Sequence, residues 1–146
     1  MIRNAVYEDK EEIYRLTNLL EDTILNHDSF MKIFDECFDK DLIYVYEMDQ
    51  RIVAFIHTRL TPQFARASCI AEIQELIVEE GYQNKGIGKA LLDKTVDYCR
   101  EKQIGIIEVL SSTFRKDAHR FYENNGFDKT GYRFFNKEWK DGVKHE

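Results

Sequence analysis

The sequence has little proline, no paired cysteines and no long hydrophobic run. Its 146 residues include one proline, Pro62, and three cysteines far apart in the chain: Cys37, Cys69 and Cys99. An odd count without a CxxC pair predicts free thiols in a reducing cytoplasm rather than a disulfide framework. No apolar run reaches the roughly 20 residues of a membrane span, and the first residues, MIRN, do not begin a signal peptide. We therefore expect a cytoplasmic protein without a membrane partner.

Positive charge is in deficit. Lys and Arg number 21 against 27 Asp and Glu, which gives a net charge of −6. Binding to nucleic acid requires a basic face, so we expect no nucleic-acid partner. The four histidines are scattered and show no metal-ligand spacing with the cysteines, so no metal is expected. With 43% hydrophobic and 33% charged residues, the composition predicts a single globular domain over residues 1–146.

The pattern of apolar residues predicts an α/β fold in which helices pack on a mixed sheet. The predicted order is β-α-α-β-β-β-α-β-α-β. Its elements are a strand at 2–6, a helix capped by Asp9 and running to 20, a helix at 29–38, a hairpin of strands 42–48 and 52–56, a loop at 61–67, a strand at 69–78, a helix at 87–102, a strand at 104–110, a helix at 117–124 and a strand at 132–135.

The segment YQNKGIGKALL, residues 82–92, places two glycines where a helix is predicted to begin. N–H groups in the first turn of a helix lack acceptors within the helix, and the helix dipole favours an anion there. Gly86 and Gly88 carry no Cβ atoms that would keep a phosphate from these amides. Lys85 and Lys89 add positive charge. The segment has the chemistry of a pyrophosphate-binding loop.

Spacing excludes two common phosphate loops. Gly81 and Gly86 have the glycine spacing of a Walker loop, but Ile87 stands at the lysine position. Gly86 and Gly88 match the first two glycines of a dinucleotide fingerprint, but Leu91 stands at the third. The remaining pattern is Gln/Arg-x-x-Gly-x-Gly/Ala, which QNKGIG fits.

With this pattern the chain resembles the GNAT superfamily of N-acetyltransferases, whose loop for the acetyl-CoA pyrophosphate has this form. The resemblance continues through LIV at 76–78 and KALL at 89–92. It extends to AHRFYENNGF at 118–127, which looks like the family's second signature, a short tyrosine-bearing helix ending in Gly-Phe. It covers about residues 2–135, and the element order matches as well.

The resemblance implies an enzyme that transfers acetyl directly from the CoA thioester to a neutral amine, with acetyl-CoA as co-substrate. It implies that the strand ending at Val78 splays from its neighbour and pairs with the pantetheine arm, with the Val78 amide facing the thioester oxygen. The implied cofactor-binding residues are Leu76, Ile77, Val78, Gln83, Asn84, Lys85, Gly86, Ile87, Gly88 and Lys89.

Tyr122 matches the tyrosine of the second signature, whose hydroxyl can protonate the departing thiolate. A tyrosine with a pKa of about 10 is a plausible acid for a thiolate whose conjugate acid has a pKa of about 8.5. The alternative is that Tyr122 packs as an ordinary aromatic residue on an amphipathic helix.

Three carboxylates are candidates for the base. Glu72 stands where some relatives place a catalytic glutamate, and Glu75 is nearer the expected thioester. Because three residues separate them on a strand, we expect the two on opposite faces. Glu108 on the next strand is the third. His119 is a weaker candidate, and Arg115 stands where many relatives have an asparagine that contacts pantetheine.

The acceptor is expected to be a small-molecule amine. An acidic cluster at Asp35, Glu36, Asp39 and Asp41 suits a cationic amine. Two alternatives stay open: an acetyltransferase for protein N-termini or lysines, and a non-catalytic acyl-CoA-binding domain. The family also implies a homodimer as an expectation.

Overall fold

A five-stranded mixed sheet organises the first of two compact units, Met1–Leu110. The computed structural model describes residues 1–20, 24–110 and 116–130, and the backbone of 139–140 and 143–144. The strands lie in chain order, and every neighbouring pair is antiparallel except the fourth and fifth, which are parallel. They are β1 (Ile2–Asn4), β2 (Leu42–Met48), β3 (Arg51–Gln63), β4 (Ser68–Val78) and β5 (Ile107–Val109). The predicted fold class is confirmed.

The described residues of this unit form three α-helices: α1 (Lys10–Thr17), α2 (His27–Phe38) and α3 (Ile87–Glu101). The second unit, Ser111–Glu146, contains α4 (Lys116–Asn124) and a two-stranded ladder of β6 (Trp139–Lys140) with β7 (Val143–Lys144). The strand predicted at 132–135 lies outside the described residues, and the single domain over 1–146 stays a prediction. Among the helices of the described residues, none is long and apolar enough to cross a membrane.

The sheet buries both faces. On one face Leu16 of α1 and Phe34 of α2 pack with Val45, Phe55 and Ile77 in the main core. Alternate residues of β2 point to the other face, where the Tyr44 ring lies near Lys94 of α3. The buried residues of α3 are Ile87, Leu91, Leu92, Thr95 and Cys99. Each large side chain buried in these layers contributes about 1.5–3 kcal/mol.

The prediction of a loop over 61–67 is wrong for residues 61–63, which belong to β3. β3 continues to Gln63, Pro62 lies opposite Cys69 of β4, and the turn itself is a 3-10 segment, Phe64–Arg66. The ladder between β2 and β3 ends at the pair Leu42–Thr58, so that beyond Thr58 the ladder partner of β3 is β4 alone. A proline without an N–H is tolerated on such a strand edge.

Asp9 does not cap α1 as expected. It lies in a 3-10 turn, Tyr7–Asp9, that precedes α1, and its carboxylate accepts the Val6 N–H at 2.8 Å. The same carboxylate pairs with the Arg3 guanidinium at 2.8 and 3.1 Å. Asp9 therefore fixes the chain between β1 and α1, and α1 ends at Thr17 rather than at residue 20.

Candidate active site

The loop from β4 to α3 owes its path to residues with left-handed backbone. Gly86, the residue just before α3, has φ 80° and ψ 7°, and Asn84 has φ 62°. A side chain at Gly86 would be strained by this φ, but a Cβ there would meet no atom within 4 Å. The glycine therefore leaves open space in front of the first turn of α3, where a phosphate could approach the backbone.

Two side chains of the loop have partners in the structure. Gln83 Nε2 donates to the Val78 carbonyl oxygen at 3.0 Å, which joins the loop to the end of β4. Lys89 Nζ lies 2.7 Å from Asp93 Oδ2 one turn along α3, and both groups are exposed. Part of the positive charge expected at the loop is therefore balanced by Asp93, and Lys85 is exposed.

Among the described residues, the ladder between β4 and β5 ends early. It pairs Ala71 with Ile107, Glu72 with Glu108 and Ile73 with Val109, and β4 then continues to Val78.

Alternate backbone groups of this overhang face an edge that has no ladder partner among the described residues. The Glu79 N–H donates to Val53 of β3 at 2.8 Å, and N–H groups alternate between the two edges of a strand. The N–H groups of Leu76 and Val78 consequently point away from β3. The Ile77 backbone points toward β3 and its side chain is buried in the core, so Leu76 and Val78, rather than Ile77, present N–H groups at this edge.

Glu72 and Glu75 lie on the same face of the sheet, so the expectation of opposite faces is wrong. The register pairs Glu75 with His57 and Ile73 with Thr58, which leaves Gln74 as the extra residue of a β-bulge. Glu72 lies opposite Arg59, two residues beyond His57 on β3. The bulge therefore restores the parity that a three-residue spacing would break.

His57 joins Glu75 to Asp41. Its Nδ1 lies 2.8 Å from Glu75 Oε2, and its Nε2 lies 2.7 Å from Asp41 Oδ2. Burial lowers the pKa of His57, but the hydrogen bonds and charges of Glu75 and Asp41 outweigh it, so the pKa lies above its usual value. Sequence spacing does not reveal His57 as a site residue, because the three residues are far apart in the chain and only the register brings them together.

Arg59 and Cys37 lie next to this cluster. Arg59 lies 3.8 Å from Asp41 and 3.8 Å from the Cys37 sulfur, and burial raises the pKa of the Cys37 thiol. Cys37, Asp41 and His57 offer three potential metal ligands within 4.8 Å of one another, a grouping invisible in the sequence spacing. The Arg59 guanidinium beside two of them opposes a cation.

A pocket of about 90 Å³ opens between the helices and the sheet, with His57 and Glu75 in its lining. Its other lining residues come from α1, α2 and the sheet: Ile13, Thr17, Phe30, Ile33, Phe34, Cys37, Ile43 and Phe55. The predicted acidic cluster does not act as a unit. Asp41 is bound to His57, whereas Asp35 is exposed and accepts the Tyr7 hydroxyl at 2.8 Å.

In the second unit, α4 carries Tyr122, whose ring contacts Phe121 at 5.2 Å and Phe127 at 5.4 Å between centroids. Gly126 ends the helix with φ 90°, as predicted, and Phe127 N–H donates to the Tyr122 carbonyl at 3.0 Å. His119 Nδ1 is buried without a hydrogen-bond partner among the described residues.

The two remaining candidates add little to the site. Glu108 of β5 is exposed. Arg115 lies outside the described residues.

The family model for GNAT acetyltransferases matches residues 4–127. A curated relative, the aminoalkylphosphonate N-acetyltransferase of Salmonella typhimurium strain LT2, is 28% identical over 135 residues, which is 91% of this chain and 88% of the relative.

Solved structures have the same fold. A possible acetyltransferase from Clostridium difficile 630 superposes with a TM-score of 0.84 at 22% identity, covering 94% of this chain and 96% of that one. The aminoglycoside N-acetyltransferase AAC(6')-Iy, solved in complex with CoA, also has a TM-score of 0.84, at 15% identity over 94% of this chain and 93% of that one.

Proposed function

This chain belongs to the GNAT acetyltransferase family, and we propose that it transfers acetyl from acetyl-CoA to the primary amine of a small molecule. The observation that carries the proposal is the pocket whose lining includes Glu75, a residue of the strand that continues past β5. A small amine in that pocket is close to the strand edge along which an acyl-CoA arm can pair.

Acetyl-CoA binds at two backbone surfaces in this proposal. Its pyrophosphate lies at the start of α3, against the loop Gln83, Asn84, Lys85, Gly86, Ile87, Gly88 and Lys89. Its pantetheine amides pair with the edge of β4 beyond Ile73, within Leu76, Ile77 and Val78, through the N–H groups of Leu76 and Val78. The positive φ and open space at Gly86 and the outward N–H groups of Leu76 and Val78 support this assignment. A solved neighbour that binds CoA supports the use of an acyl-CoA.

The reaction needs an oxyanion donor, a base and an acid. The amine lone pair attacks the thioester carbonyl carbon, the Val78 N–H donates to the developing oxyanion, and the C–S bond then breaks. Glu75 takes the proton that the ammonium form loses before the attack, with Glu72 as the alternative base on the same face. The second N–H proton, which the nitrogen loses as the amide forms, replaces the proton that Tyr122 gives to the thiolate. Tyr122 donates a proton to the departing thiolate, a role that rests on its place in the second signature.

The size of the pocket favours a small acceptor. About 90 Å³ admits an amine with a short apolar segment, and the walls from α1 and α2 are mainly apolar. The names of two relatives point the same way, since one acts on aminoalkylphosphonates and another on aminoglycosides. We expect the enzyme to act in the cytoplasm, and the homodimer stays an expectation from the family.

The test is release of CoA thiol from acetyl-CoA across a panel of aminoalkylphosphonates, aminoglycosides, polyamines, amino acids and short peptides. Turnover with one small-amine class supports the proposal and names that class. Turnover with peptides alone would favour a protein acetyltransferase. Binding of acetyl-CoA without turnover on any acceptor would favour a non-catalytic acyl-CoA-binding domain.

A further inference from the structure

His57 has carboxylates at both ring nitrogens, and they come from different elements. Glu75 approaches Nδ1 from β4, and Asp41 approaches Nε2 from the segment between α2 and β2. The side chains of His57 and Asp41 are only 16% and 6% exposed, whereas that of Glu75 is 33% exposed and also lines the pocket. The cluster thus has an outer end at Glu75 and an inner end at Asp41.

The geometry favours a proton on each ring nitrogen. Two ionised carboxylates are best satisfied when both nitrogens donate, which requires the imidazolium form. When His57 is neutral and keeps its Nε2–H on Asp41, the lone pair of Nδ1 faces Glu75. A proton that reaches Glu75 can then move to Nδ1 along a contact of 2.8 Å.

We propose that His57 positions Glu75 and receives, through Glu75, the proton that the acceptor amine loses. This inference rests on the proposed acetyl transfer. Before the step the amine is an ammonium, Glu75 and Asp41 are carboxylates, and His57 is neutral. Glu75 accepts a proton from the ammonium as the N–H bond breaks and transfers it to Nδ1 of His57. After the step the amine is neutral, both carboxylates are again ionised, and His57 is an imidazolium that later returns the proton to solvent.

The groups around His57 leave His57 as the one group of the cluster that gains and loses a proton near neutral pH. Asp41 and Glu75 carry negative charge, and Arg59 of β3 offsets part of it at Asp41. Cys37 of α2 has a thiol whose pKa is raised by burial, so it stays neutral through the working range. The residues of α1 that line the pocket, Ile13 and Thr17, are uncharged. His57 is therefore the group of this cluster that changes charge near neutral pH.

The test compares pH profiles of kcat/KM for the wild type, His57→Gln and Asp41→Asn. In the wild type, kcat/KM should fall tenfold per pH unit below the pKa of His57, because the imidazole must be neutral to accept a proton. We call this transfer from Glu75 to His57 the relay. His57→Gln should lower kcat by about 10–100-fold, since glutamine can hold Glu75 but cannot carry the proton. Asp41→Asn should move the acid limb to lower pH by about one unit or more, because it removes a carboxylate that stabilises the imidazolium.

Two controls separate this inference from general damage. His27→Gln alters another histidine with a carboxylate partner, Glu11 at 2.9 Å, but an exposed one outside the pocket, and should leave the profile unchanged. Acetyl-CoA binding, measured by calorimetry, should be the same in all variants. A wild-type acid limb in both His57→Gln and Asp41→Asn would overturn the relay.

A measurement that needs no turnover tests the relay even if no acceptor amine is found. The ring protons of His57, followed by NMR during a pH titration, should titrate above about 6.5 in the wild type. Glu75→Gln and Asp41→Asn should each lower that pKa. An unchanged titration in both variants would refute the relay even for an enzyme with measured activity, whereas absence of turnover with a normal titration would count against the proposed function alone.

Discussion

Glu72 and Glu75 share one face of the sheet because the bulged residue Gln74 lies between them. Their partners differ in kind. Glu75 is bound to an imidazole that can accept a proton, whereas Glu72 accepts the hydroxyl of Thr61. A hydroxyl partner stabilises a carboxylate but provides no group that titrates near neutral pH. The two glutamates therefore have different capacities as bases despite their common orientation.

Replacing each glutamate by glutamine should separate them. Glu75→Gln should lower kcat by about 100-fold, within the range expected for loss of a general base, and Glu72→Gln should lower it by less than tenfold. The measurement is the pH profile of kcat and kcat/KM for each variant. A larger loss in Glu72→Gln would make Glu72 the base, and unchanged profiles in both would remove the pair.

Tyr122→Phe should lower kcat by about 100-fold or more and leave the affinity for acetyl-CoA unchanged, because the hydroxyl is needed only as the thiolate departs. The check is steady-state kinetics across pH with binding measured separately. Tyr98→Phe, on the helix α3, is the matched control and should retain wild-type rates. Full turnover of Tyr122→Phe over the whole pH range would refute its role as the acid.

Gly86→Ala and Gly81→Ala form a matched pair for the loop. Both glycines have positive φ, 80° and 94°, and a Cβ at either meets no atom within 4 Å. Each substitution should cost about 1–2 kcal/mol of stability through backbone strain alone. Only Gly86→Ala should weaken acetyl-CoA binding by tenfold or more, because its Cβ enters the space in front of α3. Thermal denaturation measures the stability of each variant, and calorimetry measures its affinity for acetyl-CoA. An equal loss of affinity in Gly86→Ala and Gly81→Ala would argue against a phosphate at Gly86.

Glu79 should stabilise the fold in a pH-dependent way. Its carboxylate lies 2.7 Å from Arg15 and 3.0 Å from Arg51. Burial acts to raise the pKa of Glu79, but the two arginines outweigh it, and the pKa lies below its usual value. A carboxylate with a lowered pKa contributes stability above its unfolded-state pKa, and this contribution disappears as pH falls through the folded-state pKa.

Glu79→Gln should therefore lower the free energy of unfolding by about 1 kcal/mol at pH 7. The difference from the wild type should shrink as the pH is lowered below 4.5, the ordinary pKa of a glutamate. Urea denaturation at several pH values is the measurement. Glu12→Gln, which removes a more exposed partner of Arg15, should have the smaller effect, and a constant difference at all pH values would contradict the prediction.

Elements with clear apolar periodicity were predictable from the sequence. The helix beginning at Ile87 and the strand ending at Val78 agree with the structure at those residues, because burial of one face or of both faces leaves a repeating pattern. The loop at 61–67 was predicted from Pro62, because a proline usually indicates a loop. A proline can lie in a strand when its N–H side has no ladder partner, as here beyond Thr58 among the described residues. Knowing this requires the register of the whole sheet.

The site was predictable only in part. The loop proposed to bind the CoA pyrophosphate is contiguous in the chain, so that a short motif can describe it. His57, Asp41 and Glu75 come from three separate segments, and a bulge determines which glutamate meets the histidine. Neither the pairing of strands nor the position of a bulge can be inferred from local composition or spacing, so these features become visible only in the folded structure.

The bulge at Gln74 also limits how β4 can change its length during evolution. Deleting Gln74 itself would leave Glu72 two residues before Glu75, so that regular alternation would keep both carboxylates on one face and Ile73 opposite Thr58. Deleting a residue at another position of β4 would instead turn over part of the strand and exchange its buried positions, such as Ile73 or Ile77, with exposed ones. Single-residue deletions in β4 should consequently be confined to Gln74 among functional descendants, and substitutions of its exposed side chain should accumulate freely.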